Sequence, residues 1–201
     1  MKKLGFIAML FVLAYTFSPV AWAESKTKDV KKVSKPQKAQ YVISVKQKGK
    51  PIGEIIFETY PETAPKMCRN FDSLVSKKFY DGTAFHRVIP GFMIQGGDPN
   101  SKNKPRDSWG QGDMWQRKMP AEFSSIKHTR GIVSTAREGN DINSGSSQFF
   151  IMVADKPHLD GKYTVFGKVL KGMDVADKIV AMPRDSNDNP NDKVEMTIRK
   201  K

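Results

Sequence analysis

The stretch from Phe85 to Pro99, FHRVIPGFMIQGGDP, constrains the fold of this chain more than any other. Its residues alternate with the period of two that is typical of a β-strand, and Pro90-Gly91 interrupts the alternation with a turn signal. The stretch therefore predicts a pair of short strands. In the first strand, the spacing places Phe85, Arg87 and Ile89 on one face.

In the second strand, Met93 and Gln95 share one face, whereas Phe92 and Ile94 share the other. Arg87, Met93 and Gln95 could thus line one surface together. On patterning alone, a buried strand pair with one solvated arginine is the simpler interpretation, because most apolar runs are core. Other stretches of the chain are needed to decide between a functional surface and a simple buried strand pair.

Residues 1–23 have the pattern of a secretory signal peptide. Lys2 and Lys3 precede the apolar run Leu4–Phe17, and Ala21-Trp22-Ala23 forms a small-residue cleavage site. An uncleaved anchor is the alternative, but the run is shorter than the roughly 20 residues that span a bilayer. We expect cleavage after Ala23, no membrane span in the mature chain, and a location in the periplasm, with secretion as the alternative.

Residues 24–40 predict a basic, disordered leader, because they contain six lysines, Pro36 and almost no large apolar residues. The net charge of the whole chain is +13, and it falls to +11 when Lys2 and Lys3 are removed. Such an excess can indicate an anionic partner. Aromatic residues do not alternate with the lysines, so we expect no nucleic acid partner. Binding of an anionic cell-envelope polymer stays open as an alternative.

Residues 41–201 predict one domain with two helices among many short strands. Thr63 is the expected N-cap of the first helix, and Pro65 lies in its first turn. The apolar stripe of this helix includes Cys68, the single cysteine, which we expect to be buried and unreactive. Residues 172–181 have the spacing of the second helix.

The remaining apolar segments of this domain alternate as strands do. They are Tyr41–Lys46, Ile52–Glu58, Gly131–Arg137, Ser147–Val153, Tyr163–Val169 and Lys193–Arg199. The segment Asp98–Pro120 predicts a long polar loop, and its Trp109 and Trp115 are expected to fold back onto the body of the domain. The absence of an internal repeat excludes a solenoid, while a sandwich and a barrel both stay open.

Three motifs in this order resemble the cyclophilin family of peptidyl-prolyl cis-trans isomerases. FHRVIPGFMIQGGDP is followed by SSQFFIMVAD at residues 146–155 and by LDGKYTVFGKVLKGMDVADKI at residues 159–179. The similarity extends over about residues 41–199, and the exported context resembles the periplasmic bacterial branch. The resemblance implies a mainly β fold, a closed eight-stranded antiparallel β-barrel capped by two α-helices, with the active groove on its outer surface.

The resemblance also implies which residues act. Arg87 corresponds to the catalytic arginine of the family. The substrate-binding groove is expected to consist of His86, Phe92, Met93, Gln95, Ala136, Arg137, Gln148, Phe150, His158, Leu159 and Tyr163. His158 stands where many eukaryotic members have a tryptophan that contacts the inhibitor cyclosporin, so we expect weakened inhibitor binding.

The implied reaction suits these residues. Amide resonance opposes rotation about an X–Pro bond with a barrier of about 18–20 kcal/mol, and no bond has to break, so neither metal nor cofactor is required. Arg87 can donate a hydrogen bond to the prolyl nitrogen, which accepts it better in the twisted state than in the planar one. We expect proline-containing polypeptides as partners, the folding of exported proteins as the role, and a monomer.

Two further alternatives stay open at this point. One is a non-catalytic binder of proline peptides on the same fold, although such a binder would not need Arg87. The other is a metal hydrolase, but His86, His128 and His158 lie far apart in the sequence and lack metal-ligand spacing. The expected site therefore contains no metal.

Overall fold

Eight antiparallel strands close into a barrel within residues 37–201, the part of the chain that the computed structural model describes. The predicted signal peptide and residues 24–36 of the predicted leader lie outside the described residues. Around the barrel the strands follow the order β1-β2-β7-β5-β6-β4-β3-β8. Their bounds are β1 Gln40–Gln47, β2 Lys50–Thr59, β3 Thr83–Ile89, β4 Met93–Gly96, β5 Ile132–Thr135, β6 Phe149–Met152, β7 Val165–Lys171 and β8 Val194–Lys200.

The two predicted helices are α1, Pro65–Ser76, and α3, Met173–Val180, and a short third helix, α2, covers Asn100–Asn103. The buried residues of α1 and α3 all belong to the main apolar core. The fold class is confirmed, with α2 as an addition. In residues 37–201, none of the helices has the length and apolar character needed to cross a bilayer.

The N-terminus of α1 differs from the prediction, because Ala64 rather than Thr63 occupies the N-cap position and contributes no side-chain cap. Its place is taken by the carboxylate of Glu122. This group accepts hydrogen bonds from the backbone N–H of Lys66 at 3.0 and 3.1 Å and of Met67 at 2.9 Å. The first N–H groups of a helix have no partner within it, and an anion there is favoured by the helix dipole. Glu122 therefore ties α1 to the segment that follows the long loop.

Strand β6 separates two apolar clusters. Phe149 and Ile151 belong to the main core, which also contains the buried faces of α1 and α3. Phe150 and Met152 point the opposite way, into a smaller outer cluster. This alternation follows from the strand period.

The side chains of β3 do not alternate strictly between its two faces as the sequence predicted, because a β-bulge interrupts the pairing of β3 with β4 between Phe85 and Arg87. Phe85 consequently lies in the main core, while Arg87 is exposed on the outer side. Ile89 packs against the outer cluster. Phe92 precedes β4 and also packs on the outer cluster, so it does not share the core face of Ile94.

The predicted loop Asp98–Pro120 contains α2 and a 3-10 turn at Arg106–Ser108. The buried carboxylate of Asp98 accepts hydrogen bonds from the backbone N–H of Asn100 and of Gly110, which fixes the first half of the loop. The guanidinium of Arg106 lies 5.0 Å from the ring of Trp109. Trp115, in contrast, is 87% exposed, so the expectation that it packs onto the domain is wrong.

Candidate active site

Cross-strand pairing aligns four residues in a row across the outer surface of the barrel. Arg87 of β3 is opposite Gln95 of β4, Gln95 is opposite Phe150 of β6, and Phe150 is opposite Ser134 of β5. Directly opposed residues point to the same face of a sheet. The barrel therefore places a guanidinium, a carboxamide and an aromatic ring next to one another, although they are far apart in the sequence.

An outer pocket of about 140 Å³ lies over this row. Its floor is apolar, since Met93, Phe150 and Leu159 are only 2%, 5% and 6% exposed. The pocket is lined by Arg87, Phe92, Met93, Gln95, Ala136, Arg137, Phe150, Leu159 and Tyr163. The structure thus brings together nine of the residues that the sequence selected. We refer to this cavity as the first pocket.

Aromatic contacts hold Phe150 in the floor of the first pocket. Tyr163 meets it edge to face with 5.6 Å between ring centroids, and His128 stacks on it at 6.2 Å. The guanidinium of Arg137 lies over Tyr163 at 4.7 Å. These contacts leave Phe150 little freedom to rotate, so the shape of the floor is fixed before a ligand arrives.

Sequence reasoning did not identify the polar support beneath Phe150. Nδ1 of His128 lies 3.2 Å from a carboxylate oxygen of Asp160, and Nε2 lies 3.1 Å from the hydroxyl of Ser134. A carboxylate can only accept, so Nδ1 carries the proton and Nε2 accepts from Ser134. Burial lowers the pKa of His128, which favours this neutral form. The cross-strand pairing of Ser134 with Phe150 would have identified this support, but the sequence did not reveal that pairing.

Hydrogen bonds orient the amide of Gln95. Its Nε2 donates to the side-chain oxygen of Gln148 at 3.0 Å, and Nε2 of Gln148 donates to the carbonyl of Gly110 at 3.0 Å. A carboxamide has two N–H donors, so one donor of Gln95 is free for a ligand. Within residues 37–201, the guanidinium of Arg87 forms neither a hydrogen bond nor an ion pair. Both side chains can therefore donate to a bound molecule.

Three predicted groove residues lie outside the first pocket. His86 is 5% exposed and neither ring nitrogen has a hydrogen-bond partner, because the bulge turns its ring away from Arg87 and towards the backbone of Gly110. Burial lowers the pKa of His86 to about 4. His158 is exposed, and its ring centroid lies 6.1 Å from that of Phe92. Gln148 lines a neighbouring cavity.

This second pocket has a volume of about 320 Å³ and shares Gln95, Ala136 and Arg137 with the first pocket. Its opposite wall is formed by the backbone around Gly110 and Gly112. The hydrogen bond from Gln148 to Gly110 anchors that wall to β6. An extended ligand in the first pocket would therefore continue into the second.

The structure also bears on two other kinds of site, a reactive cysteine and a metal site. Cys68 is buried, as predicted, and burial raises the pKa of its thiol to about 12, so the thiolate is not populated at neutral pH. No group of three or more His, Cys, Asp or Glu side chains in residues 37–201 could hold a metal ion.

The sequence profile of the family described as cyclophilin type peptidyl-prolyl cis-trans isomerase/CLD matches residues 42–200. The chain belongs to this family. Curated proteins similar to it include peptidyl-prolyl cis-trans isomerase ppi1 of Schizosaccharomyces pombe, which is 44% identical over 140 residues that cover 69% of this chain and 86% of the relative. Peptidyl-prolyl cis-trans isomerase-like 2 of Rhizopus delemar is 40% identical over 181 residues, which cover 89% of this chain but only 31% of the relative.

Solved cyclophilins share the fold. A crystal structure of a cyclophilin type isomerase of Cryptosporidium parvum matches with a TM-score of 0.72 and 31% identity, and the match covers 82% of this chain and 98% of that chain. A structure of the same protein in the presence of the dipeptide Ala-Pro matches with a TM-score of 0.69. Family and fold place this cyclophilin among the isomerases. The relatives named here are eukaryotic and do not identify a periplasmic branch.

Proposed function

We propose that this cyclophilin accelerates rotation about X–Pro peptide bonds in exported polypeptides, with Arg87 as the catalytic residue. One observation carries the proposal. The buried side chains of Met93, Phe150 and Leu159 form an apolar cup, and the unpaired guanidinium of Arg87 lies at its edge. The cup suits a proline ring, and the guanidinium supplies N–H donors at the bond that rotates.

The guanidinium favours the twisted state over the planar one. In the planar amide, the nitrogen lone pair is delocalised into the carbonyl, which is the origin of the barrier of about 18–20 kcal/mol. As the bond twists, this nitrogen becomes pyramidal and regains a lone pair that can accept a hydrogen bond from Arg87. An interaction that is stronger in the transition state than in the ground state accelerates the reaction.

The pocket also determines which side of the bond moves. An apolar cup that holds the ring against Phe150 keeps the proline stationary, while the second N–H donor of Gln95 can hold a substrate carbonyl. Rotation then takes place in the residue before proline, over the open side that leads to the second pocket. The cyclophilin structure obtained with Ala-Pro supports a proline-containing peptide as the ligand of such a fold.

The direct test is the isomerisation rate of a short Ala-Pro peptide, followed by a protease that cleaves only the trans form. We expect Arg87→Ala to lower kcat/KM about 100-fold or more, which is the effect of removing one key transition-state donor. Arg87→Lys should retain part of the activity, and the exposed Arg199→Ala serves as the matched control with wild-type activity. An Arg87→Ala variant with wild-type kcat/KM would disprove the role of Arg87.

Export is the second part of the proposal, and it is supported by the basic start, the apolar run Leu4–Phe17 and the small-residue site at Ala21-Trp22-Ala23. We propose cleavage after Ala23 and a monomeric periplasmic enzyme of the bacterial branch. Mass spectrometry of the protein purified from a periplasmic extract tests this, because the mature chain should begin at Glu24. An unprocessed chain in the cytoplasm would contradict export and leave the isomerase activity untouched.

A further inference from the structure

A third cavity, of about 860 Å³, lies between α1 and the segment 113–120. One wall is a face of α1. The exposed residues Lys66, Arg69, Ser73 and Lys77 recur at intervals of three or four, so their side chains lie on the same side of the helix. The other wall comes from the long loop and includes Trp115 and Arg117. We call this cavity the basic groove.

The basic groove carries an excess of positive charge. Within residues 37–201, Lys66, Arg69, Lys77 and Arg117 form no ion pair. Asp113 is the single acid among the groove residues, and its carboxylate accepts a hydrogen bond from the backbone N–H of Trp115 at 3.1 Å. The nearby carboxylate of Glu122 is bound to the N-terminus of α1. The groove is thus complementary to a ligand with several negative charges.

Trp115 adds an apolar contact at the same place. Its side chain is 87% exposed, and that of the adjacent Met114 is 88% exposed. Large apolar side chains that protrude beside a cavity are typical of binding surfaces, because they gain free energy when a partner covers them. A partner of the groove would therefore combine acidic groups with a backbone or side chain that can lie against an indole.

The basic groove is continuous with the active site. It shares Asp113, Gln116 and Ser146 with the second pocket, which in turn shares residues with the first pocket. The amide of Gln116 bridges the junction, since Nε2 donates to the hydroxyl of Ser147 at 2.7 Å and Oε1 accepts from Ser146 at 3.1 Å. A polypeptide that places a proline in the first pocket can run along this trough into the groove.

We propose that the basic groove binds an acidic segment of the same polypeptide whose proline occupies the first pocket. The groove would select substrates that carry several Asp or Glu residues a short distance along the chain from proline. The inference rests on the proposed function, since it takes the first pocket as the proline site. An extended chain covers about 3.3 Å per residue, so the number of residues between the proline and the acidic segment decides whether one polypeptide can fill both sites at once.

Binding of labelled peptides, measured by fluorescence anisotropy at low salt, tests this independently of catalysis. Each peptide contains one Ala-Pro unit and a run of four glutamates, joined by Gly-Ser spacers of increasing length on either side of Ala-Pro. The matched peptides carry glutamines instead. We expect a spacer length at which the Glu peptide binds about 10-fold more tightly, because several exposed ion pairs act together, and we expect the preference to shrink as salt is added.

Charge-reversal variants test whether the preference for Glu peptides arises in the basic groove. The variant Arg69→Glu/Lys77→Glu/Arg117→Glu should lose the preference for Glu peptides. The variant Lys50→Glu/Lys168→Glu/Lys171→Glu has the same net charge, changes exposed lysines outside the three cavities, and should keep the preference. Thermal unfolding of both variants verifies that they are folded.

Three outcomes would overturn the proposal: equal affinity for Glu and Gln peptides at every spacer length, equal loss of preference in both variants, or equally tight binding of a Glu peptide that lacks proline. The last would indicate a general polyanion surface such as one for an envelope polymer. If the wild-type protein prefers the Glu peptides but does not isomerise any of them, the proposed function fails and the binding preference stands.

Discussion

His86 and Arg87 are neighbours in the chain but lie in opposite environments. The bulge in β3 exposes the guanidinium of Arg87 at the first pocket and buries the imidazole of His86 beneath Gly110, with Asp98 nearby. Desolvation disfavours the charged form of a buried histidine, and the carboxylate of Asp98 only partly opposes this. The consequence of this burial is a dependence of stability on pH.

We predict that the free energy of unfolding falls as the pH is lowered from 6.5 towards 4. The unfolded chain protonates His86 near pH 6.5, whereas the native pKa is about 4, so the unfolded state binds more protons throughout this window. The expected slope is about 1.4 kcal/mol per pH unit for this residue, reached once the unfolded chain is fully protonated. Urea unfolding at pH 7, 6 and 5 measures it.

Two variants separate His86 from the other titrating groups. His86→Gln should remove its part of the slope, and the part that stays comes from His128, whose pKa is also lowered by burial. His128→Gln should in turn remove the part of the slope that comes from His128. Equal slopes in the wild type and in His86→Gln would contradict the prediction.

At the residue scale, the sequence predicted every residue that lines the first pocket. It could do so because Arg87, Gln95 and Phe150 lie in motifs of the cyclophilin family, and because the strand period places Met93 and Gln95 on one face. It could not predict that His86 turns away, since a bulge adds one residue to a strand without a sequence pattern of its own. His158 also lies outside the pocket, in a 3-10 turn whose side-chain directions the sequence does not reveal.

At the scale of elements, Glu122 shows that a helix can be capped by a residue that is far away in the sequence. Its carboxylate takes three hydrogen bonds from the first turn of α1, and its own backbone N–H donates to the hydroxyl of Thr164 at 2.8 Å. A local pattern such as Thr63 before Pro65 predicts only caps that are close in sequence. The acceptor here lies 55 residues from Met67, beyond the reach of such patterns.

We predict that Glu122→Gln lowers the free energy of unfolding by about 1–2 kcal/mol, the usual loss when a helix cap is removed, increased by the loss of charge at the dipole. Chemical denaturation measures the change. The matched control is Glu62→Gln, which removes an exposed carboxylate that forms no hydrogen bond within residues 37–201 and should be neutral. An equal effect of both substitutions would show that overall charge, rather than the cap, is responsible.

Other elements show the same limit of local patterns. The helix α2 has four residues, which is too short for a periodicity of 3.6 to be recognised. Strands β5 and β6 have four residues each, fewer than predicted, and residues on both sides of the connection between them line the second pocket. Trp115 was expected to pack because it is apolar, but its loop leaves it exposed beside the basic groove.

At the scale of the whole molecule, the two ends of the domain meet in the barrel. Strand β1 pairs with β2 on one side and with β8 on the other, in register from Tyr41 opposite Lys200 to Gln47 opposite Val194. The barrel is closed by this contact between the start and the end of the domain. The sequence indicated both strands, but the resemblance to cyclophilins was needed to predict that they pair.

We predict that deletion of residues 24–36 leaves both the melting temperature and the isomerisation of a short Ala-Pro peptide unchanged, because the deletion stops before β1. Deletion of residues 24–45 should abolish cooperative unfolding, because it removes most of a strand that is hydrogen-bonded on both sides and uncovers the core around Tyr41 and Ile43. Differential scanning calorimetry distinguishes the two. A stable, cooperatively folded product of the longer deletion would contradict this role of β1.

The alternation in β6 also limits how such a protein can diversify. Phe149 and Ile151 fill the interior, Phe150 lies in the floor of the first pocket, and Met152 is buried in the outer apolar cluster. A substitution on either face of this strand therefore disturbs packing or the pocket. New substrate preferences are therefore expected to arise in side chains carried by loops, such as Arg117 or Trp115, where a substitution alters what is recognised and leaves the folded scaffold intact. The rotation chemistry and the choice of client could in this way evolve separately within one small protein.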